Sequence, residues 1–140
     1  MAEIGETERA LLKEAAKALE NAHVLWGFSV GAAVLAEDGK VYGGCNVESW
    51  VSGLGICAER NAINHAVLHG NKKVREVAIV TDAKKEGETK PCGACLQCIS
   101  DFAESPEIKI VMAKVEKARV LFETVKVKTL RELFPEPFKK

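Results

Sequence analysis

The sequence has no excess of charge of either sign and no apolar run long enough to cross a membrane. Its 140 residues include 20 basic and 20 acidic side chains, so the formal net charge is zero. Because neutralised phosphates supply most nucleic-acid affinity, this balance argues against a nucleic-acid partner and favours a small neutral ligand. Residues 1–21 are charged and amphipathic, without the apolar segment of a secretory signal. We therefore expect no membrane association and a cytoplasmic location.

Disulfide bonds are not expected either, although the chain has five cysteines. The count is odd, and three of the five fall within residues 92–98. Such clustering in a chain without an export signal points to metal binding or catalysis before disulfides. Aromatic residues make up only 6%, but 47% hydrophobic and 29% charged residues are an ordinary globular balance. The length and the lack of linkers or repeats predict one domain over residues 1–140.

Hydrophobic periodicity predicts the element order α-β-β-α-β-α-β-β-α. The first helix carries an apolar stripe from Leu11 to Ala22, and a capping box from Thr129 to Glu132 opens the last one. The other elements are a hairpin of residues 28–36 and 40–47, helices at 56–69 and about 93–102, and strands at 77–81, 108–112 and 120–127. A central mixed five-stranded sheet with helices on both faces buries these elements, which predicts an α/β fold of three α/β/α layers.

Cys57 and Glu59 open one predicted helix, and Cys92 and Cys95 open another. Zinc binds thiolate, and helix N-termini favour negative charge through free N–H groups and the helix dipole. One helical turn can present the Cys92 and Cys95 pair to one metal, and Cys57 can be the third ligand, which leaves a fourth position open for water. Glu59 is then placed to act as general acid and base, and Arg60 to offset the thiolate charge.

These residues carry a resemblance to a known family. The sequences Cys57-Ala58-Glu59-Arg60 and Pro91-Cys92-Gly93-Ala94-Cys95 resemble the two zinc motifs of the small cytidine deaminases. The resemblance continues in residues 28–33, 44–48 and 133–138, so it spans nearly the whole chain. It implies a cytidine deaminase-like fold, a homotetramer, and one zinc ion per subunit held by Cys57, Cys92 and Cys95.

The reaction that this resemblance implies is hydrolytic deamination of cytidine or deoxycytidine in pyrimidine salvage. Metal-activated water attacks C4 of cytosine, while Glu59 protonates N3 and then passes a proton to the leaving amine. The products are ammonia and uridine or deoxyuridine. The implied substrate contacts are Phe28 on the pyrimidine, Asn46 and Glu48 on the ribose, and Phe138 reaching in from a neighbouring subunit.

The sequence departs from the family around the substrate. Trp50 stands where the family has a small Ala, Ser52 where it has Tyr, and Leu96 where Arg often follows the second motif. Residues 24–28 also differ from the usual Pro-Tyr-Ser-x-Phe. An indole near the pocket excludes some substrates or rearranges the loop. A different amino-heterocycle or a modified nucleoside is therefore an alternative substrate, as in the related blasticidin S deaminases.

Less specific interpretations remain for several residues. Cys98 could close the zinc site as a structural fourth ligand, or belong to an iron–sulfur cluster, and the chain would then be a binding module. We expect instead that Cys98 and Cys45 are small buried hydrophobic residues. Trp26 is expected in the core, and His65 and His69 on or near the surface. Deamination of nucleic acid is a further alternative, which the zero net charge disfavours.

Overall fold

The computed structural model describes residues 3–140, so Met1 and Ala2 of the predicted 1–140 domain lie outside the described residues. The elements are α1 Glu6–Leu19, β1 Val30–Ala36, β2 Val41–Cys45, α2 Ala58–Leu68, β3 Val74–Thr81, α3 Gly93–Phe102, β4 Lys109–Glu116, β5 Arg119–Thr129 and α4 Leu130–Leu133. Short 3-10 turns occupy Ser52–Leu54 and Glu86–Thr89. Within residues 3–140, no helix combines the length and the apolar character needed to span a membrane. The predicted element order is confirmed.

The five strands form one mixed sheet in the order β2-β1-β3-β4-β5. The β3–β4 pair is parallel, whereas the β1–β2, β1–β3 and β4–β5 pairs are antiparallel. The parallel pair requires a long crossover connection, and α3 provides it. The predicted five-stranded mixed sheet is therefore confirmed.

Both faces of the sheet are covered by helices. In β1, Ala33 packs with the apolar side of α1, whereas Ala32 and Val34 pack with α2 and α3 on the opposite face. Neighbouring residues of β3 divide in the same way, with Ala78 facing α1 and Val77 facing α2 and α3. This two-sided burial explains why the central strands are continuously apolar instead of alternating. The three α/β/α layers follow from it.

Gly44 allows α2 to lie directly on β2. A Cβ added at Gly44 would lie 2.3 Å from the Ala62 nitrogen and 2.7 Å from the Ala58 oxygen, both on the backbone of α2. At the neighbouring Gly43, by contrast, an added Cβ would lie 3.4 Å from the Ala18 side chain, an ordinary contact. The absence of a side chain at Gly44 thus fixes how closely the first turn of α2 approaches the sheet.

Two of the predicted boundaries shift for identifiable reasons. The α2 helix begins at Ala58, not at residue 56, because Ile56 forms a pair of backbone hydrogen bonds with Val47 at 2.9 and 3.0 Å. Ile56 is therefore extended and exposed, and the prediction that the helix includes it is wrong. The third strand begins at Val74, ahead of the predicted residue 77, because Val74 and Glu76 still pair with neighbouring strands in the sheet.

Candidate active site

Three cysteines meet at the N-termini of α2 and α3. Cys57 is the residue before α2, Cys92 is the residue before α3, and Cys95 lies in the first turn of α3. Their sulfur atoms all lie within 4.8 Å of one another, and the Cys92 and Cys95 sulfurs are 3.5 Å apart. Among residues 3–140, they form the one group of three or more Cys, His, Asp or Glu side chains with ligand atoms close enough to share a metal ion. Cys98 is not part of it.

The sulfur cluster favours negative charge on Cys57. The pKa of Cys57 falls to about 5, first because of a hydrogen bond from Cys95 and further because Arg60 lies beside it. The Nη2 atom of Arg60 is 3.4 Å from the Cys57 sulfur. The pKa of Cys95 moves upward, because Cys95 is the donor in that hydrogen bond and is buried. When a divalent cation binds, it displaces the protons that the thiols share between them. The three thiols, with a guanidinium group beside them, therefore suit a zinc ion.

Glu59 lies in the first turn of α2 and is only 4% exposed. Burial raises the pKa of its carboxyl group to about 7, and the charge of Cys57 adds to that effect. A carboxyl group that gains and loses a proton near neutral pH is suited to proton transfer. The structure thus places one buried acid beside the three thiols, as the Cys-x-Glu spacing predicts.

Asn46 and Glu48 hold the chain segment that carries Phe28. The Asn46 amide donates to the Phe28 carbonyl at 2.8 Å and accepts from the Val30 N–H at 2.9 Å. Glu48 accepts through Oε1 from three successive N–H groups, those of residues 25–27, with the Trp26 bond at 2.8 Å. These backbone hydrogen bonds lower the pKa of Glu48. The predicted ribose contacts of Asn46 and Glu48 stay predictions. The sequence did not indicate that both side chains also hold the backbone around Phe28 by hydrogen bonds.

Phe138 is placed away from the core, with 71% of its surface exposed. Its backbone is held against α3 by the Gln97 side chain, which donates to the Phe138 carbonyl at 3.0 Å and accepts from its N–H at 3.3 Å. The side-chain amide of Gln97 thus satisfies both backbone hydrogen-bonding groups of Phe138, as an adjacent β-strand would. No local sequence pattern pointed to Gln97, because the two residues are 41 positions apart.

Trp26 is exposed, so the prediction that it belongs to the core is wrong. It is 57% exposed, and its ring contacts Trp50, which is 77% exposed, with ring centroids 5.0 Å apart. Three consecutive N–H groups bound to Glu48 hold its backbone in a turn outside the sheet, so the indole is presented at the surface. His65 and His69 are exposed as expected, and Cys45 and Cys98 are half-buried free thiols.

Comparison with known proteins decides the family. The family model described as the cytidine and deoxycytidylate deaminase zinc-binding region matches residues 5–112 of the chain. The chain belongs to this deaminase family. The matched residues include all three clustered cysteines and Glu59, and a zinc ion is therefore the cofactor, one per subunit. The chain is accordingly a zinc-dependent aminohydrolase of the cytidine deaminase family.

Individual relatives agree with this assignment. A cytidine deaminase of Halalkalibacterium halodurans is 36% identical over 129 residues, which is 91% of each chain. One from Sporosarcina psychrophila is 46% identical over 93 residues, covering 66% of this chain and 67% of that relative. Among solved structures, a cytidine deaminase from Burkholderia pseudomallei superposes with a TM-score of 0.80 at 32% identity, covering 96% of this chain and all of that one. The cytidine deaminase fold is thus confirmed.

Proposed function

We propose that the chain deaminates cytidine and deoxycytidine by hydrolysis, with Cys57, Cys92 and Cys95 holding the zinc ion and Glu59 moving protons. The observation that carries the proposal is one buried carboxyl group in the first turn of α2, next to three converging thiols. When bound, zinc supplies a Lewis acid that makes water a nucleophile at neutral pH. Arg60 beside Cys57 offsets part of the negative charge of the thiolates.

Glu59 has two tasks in this scheme. Its carboxylate accepts a proton from the attacking water and delivers it to N3 of the cytosine ring. It then takes the remaining proton from the hydroxyl group now on C4 and delivers it to the amine at C4. The C4–N bond breaks, ammonia leaves, and the oxygen of water remains on the ring as the uracil carbonyl. Burial of Glu59 supports this role, because a carboxyl group that is easily protonated near neutral pH serves both directions of transfer.

Phe28, Asn46 and Glu48 would bind the nucleoside. Phe28 is half-buried two residues before β1, where its ring is proposed to pack on the pyrimidine. The Asn46 amide is already hydrogen-bonded to the backbone at both ends, so a ribose contact would add to these bonds. Glu48 uses Oε1 for the backbone, which leaves Oε2 to accept from a ribose hydroxyl.

We further propose a homotetramer in which Phe138 completes the site of a neighbouring subunit. The exposed ring and the Gln97 clamp support this, because the tail is held in place while its aromatic ring has no packing partner in its own subunit's core. We also propose that residues 1–140 act as one domain, in pyrimidine salvage in the cytoplasm. Five cysteines without a disulfide suit a reducing compartment.

The decisive experiment is Glu59→Gln, with Glu104→Gln as the control on an exposed carboxylate. The Glu59 variant should keep one zinc per subunit and lose turnover of cytidine by on the order of 10²–10⁴-fold, because the amide cannot transfer protons. The control should match the original chain. Metal analysis and ammonia release measure the two quantities. A zinc-loaded Glu59→Gln protein that turns over cytidine at the original rate would remove Glu59 from the mechanism.

The same variant tests the shared site. Glu59→Gln and Phe138→Ala subunits, each of low activity alone, should regain activity when they are unfolded and refolded together. Mixed oligomers contain sites with an intact Glu59 and an intact Phe138 from another subunit. Light scattering gives the subunit number, and a strict monomer, or a mixture no more active than its parts, would contradict the proposal.

A second candidate function is deamination of a modified nucleoside or another amino-heterocycle. The observation that favours it is the exposed contact between Trp26 and Trp50 beside the Phe28 segment. Ammonia release from cytidine, deoxycytidine and a panel of aminopyrimidines distinguishes the two candidates. Turnover of panel members without turnover of either nucleoside would favour the second.

A further inference from the structure

The only two tryptophans of the chain contact each other at the surface. The planes of Trp26 and Trp50 meet at 75°, an edge-to-face arrangement, with ring centroids 5.0 Å apart. Such a contact leaves most of both rings open, and they are 57% and 77% exposed. Exposed indoles in contact offer a large, rigid apolar surface, which in proteins marks a binding site more often than a lone exposed residue does.

Both indoles are tied to the candidate active site through the chain. Trp26 lies two residues before Phe28, in the segment that Glu48 and Asn46 hold. Trp50 lies in the loop of residues 48–55, whose ends are joined by the two hydrogen bonds between Val47 and Ile56. The next residue after Ile56 is the zinc ligand Cys57. The indole pair is therefore carried by the two segments that lead into the nucleoside-binding residues and the metal cluster.

The backbone beneath the pair is rigid. Glu48 binds the three N–H groups of residues 25–27, and a Cβ at Gly27 would lie only 2.5 Å from Glu48 Oε2. Glycine at position 27 thus lets the carboxylate sit inside the turn. Because three hydrogen bonds hold the turn at Trp26, its indole is presented outside the core, where it contacts the ring of Trp50. The aromatic surface is preorganised, so a ligand that meets it does not have to order it.

Two carboxylates lie near the segments that carry the pair. Glu48 lies beneath it, and Asp82 accepts from the Ser29 N–H at 2.9 Å at the other end of the Phe28 segment. Neither residues 23–30 nor residues 48–55 include a lysine or an arginine. The basic side chain in these segments is His23, whose Nδ1 lies 2.9 Å from the Glu48 carbonyl oxygen. A phosphate held here would face two carboxylates with no lysine or arginine in either segment to pair with it, whereas an apolar or aromatic group would be accepted.

We propose that Trp26 and Trp50 form a specificity-determining wall for the deamination, one that favours aminopyrimidine nucleosides carrying an apolar or aromatic substituent over nucleotides. The inference rests on the proposed function, because it assumes that the ring to be deaminated lies against Phe28 and Glu59. The wall contacts the part of the substrate that projects from the reacting ring. It therefore changes KM for the substituted substrate and leaves the proton transfers of Glu59 unaltered.

The test compares Trp50→Ala, Trp26→Ser and the double variant with Leu68→Ala, which removes a side chain that is 81% exposed at the far end of α2. Substrates are cytidine, 5′-O-benzoylcytidine, 5-propynylcytidine and cytidine 5′-monophosphate. The original chain should use at least one substituted nucleoside with a KM below that of cytidine, and the monophosphate with a kcat/KM lower by a factor of about 100 or more. Each tryptophan variant should raise KM for that nucleoside about tenfold relative to cytidine, which corresponds to loss of roughly 55 Å² of apolar contact. The kcat values should stay within about twofold.

A binding measurement tests, separately from turnover, whether the nucleosides contact the two indoles. With excitation selective for tryptophan over Tyr42, fluorescence reports on these two indoles. In the Glu59→Gln background the substituted nucleosides should therefore shift the emission, and neither Trp50→Ala nor Trp26→Ser should retain the full response. If cytidine is deaminated but the KM ratios of the tryptophan variants equal those of Leu68→Ala, the wall is refuted and the proposed function stands. If no nucleoside is deaminated, the proposed function and the wall both fail, and a shift in emission then shows only that the nucleosides bind at the indoles. A changed subunit number in Trp50→Ala, with equal KM changes for all substrates, would make the pair a subunit contact and refute the wall.

Discussion

Replacing Glu76 by Gln should make the protein more stable at pH 8 and flatten its loss of stability above pH 5. Glu76 in β3 is 8% exposed and forms a hydrogen bond with Glu8 of α1, and one of its carboxyl oxygens has no partner within the described residues. Two carboxylates cannot hydrogen-bond without a proton between them, so the pair shares one. Lys109 Nζ lies 3.9 Å from Glu8 Oε2 and compensates only part of the charge.

The sign and size follow from the shared proton. Burial, with the hydrogen bond and charge of Glu8, raises the pKa of Glu76 from 4.5 to about 8, so the folded state holds a proton that the unfolded chain has released. The corresponding stabilisation is fully present below pH 4.5 and is lost as the pH rises through 8. The full shift would be about 5 kcal/mol at 1.36 kcal/mol per unit, and relaxation and solvent screening reduce this to roughly 2 kcal/mol. The pKa of Glu8 is lowered, so its titration lies below this range.

The assay is urea unfolding at pH 5, 6, 7 and 8 at fixed protein and zinc concentrations. Zinc affinity and subunit association also depend on pH, but both cancel in the difference between the variant and the original chain at each pH. Between pH 5 and pH 8, the free energy of unfolding of Glu76→Gln should rise by about 2 kcal/mol relative to that of the original chain. Glu116→Gln, at the exposed end of β4, is the control and should show no such trend. A difference that is constant with pH, or that grows in the opposite direction, would refute the shared proton.

Other predictions concern the metal site and the packing of α2. Cys95→Ser should lose zinc and activity, whereas Cys98→Ser should keep both, because only Cys95 of these two lies in the thiol cluster. Zinc content is measured by metal analysis after dialysis. Loss of zinc from both variants would indicate that Cys98 is also a ligand. Gly44→Ala should destabilise the fold by about 2–4 kcal/mol, since its Cβ would collide with the backbone of α2, whereas Gly53→Ala, with open space around it, should change stability by under about 0.5 kcal/mol. Thermal unfolding of the zinc-loaded proteins measures both, and equal stabilities would contradict the close approach.

The layered fold and the metal cluster could be predicted because local patterns encode them. Continuous apolar strands separated by helical stripes require a sheet covered on both faces, and the start of a helix is where a thiolate is favoured. Cys57, Glu59, Cys92 and Cys95 all lie at such starts. The side chains that meet there were therefore identifiable from their spacing.

The remaining site features depend on contacts that no local pattern encodes. Glu48 binds backbone groups more than 20 residues away, and Gln97 binds a tail 41 residues away. Trp26 is a large apolar residue of the kind usually found in a core. Its exposure is explained by the hydrogen bonds to Glu48 that hold its turn at the surface. The hydrogen bond between Glu8 and Glu76 joins a helix to a strand through two acidic side chains, a pairing that charge patterns alone disfavour.

The paired hydrogen bonds between Val47 and Ile56 have a consequence for how such a chain diversifies. They fasten both ends of the loop of residues 48–55 immediately before Cys57, so insertions or exchanges within the loop do not shift the register of the metal ligands. Selection can therefore remodel substrate choice in this loop, one mutation at a time, while the reaction centre stays in place. The bridge thus lets the loop change while the start of the metal-binding helix stays constrained.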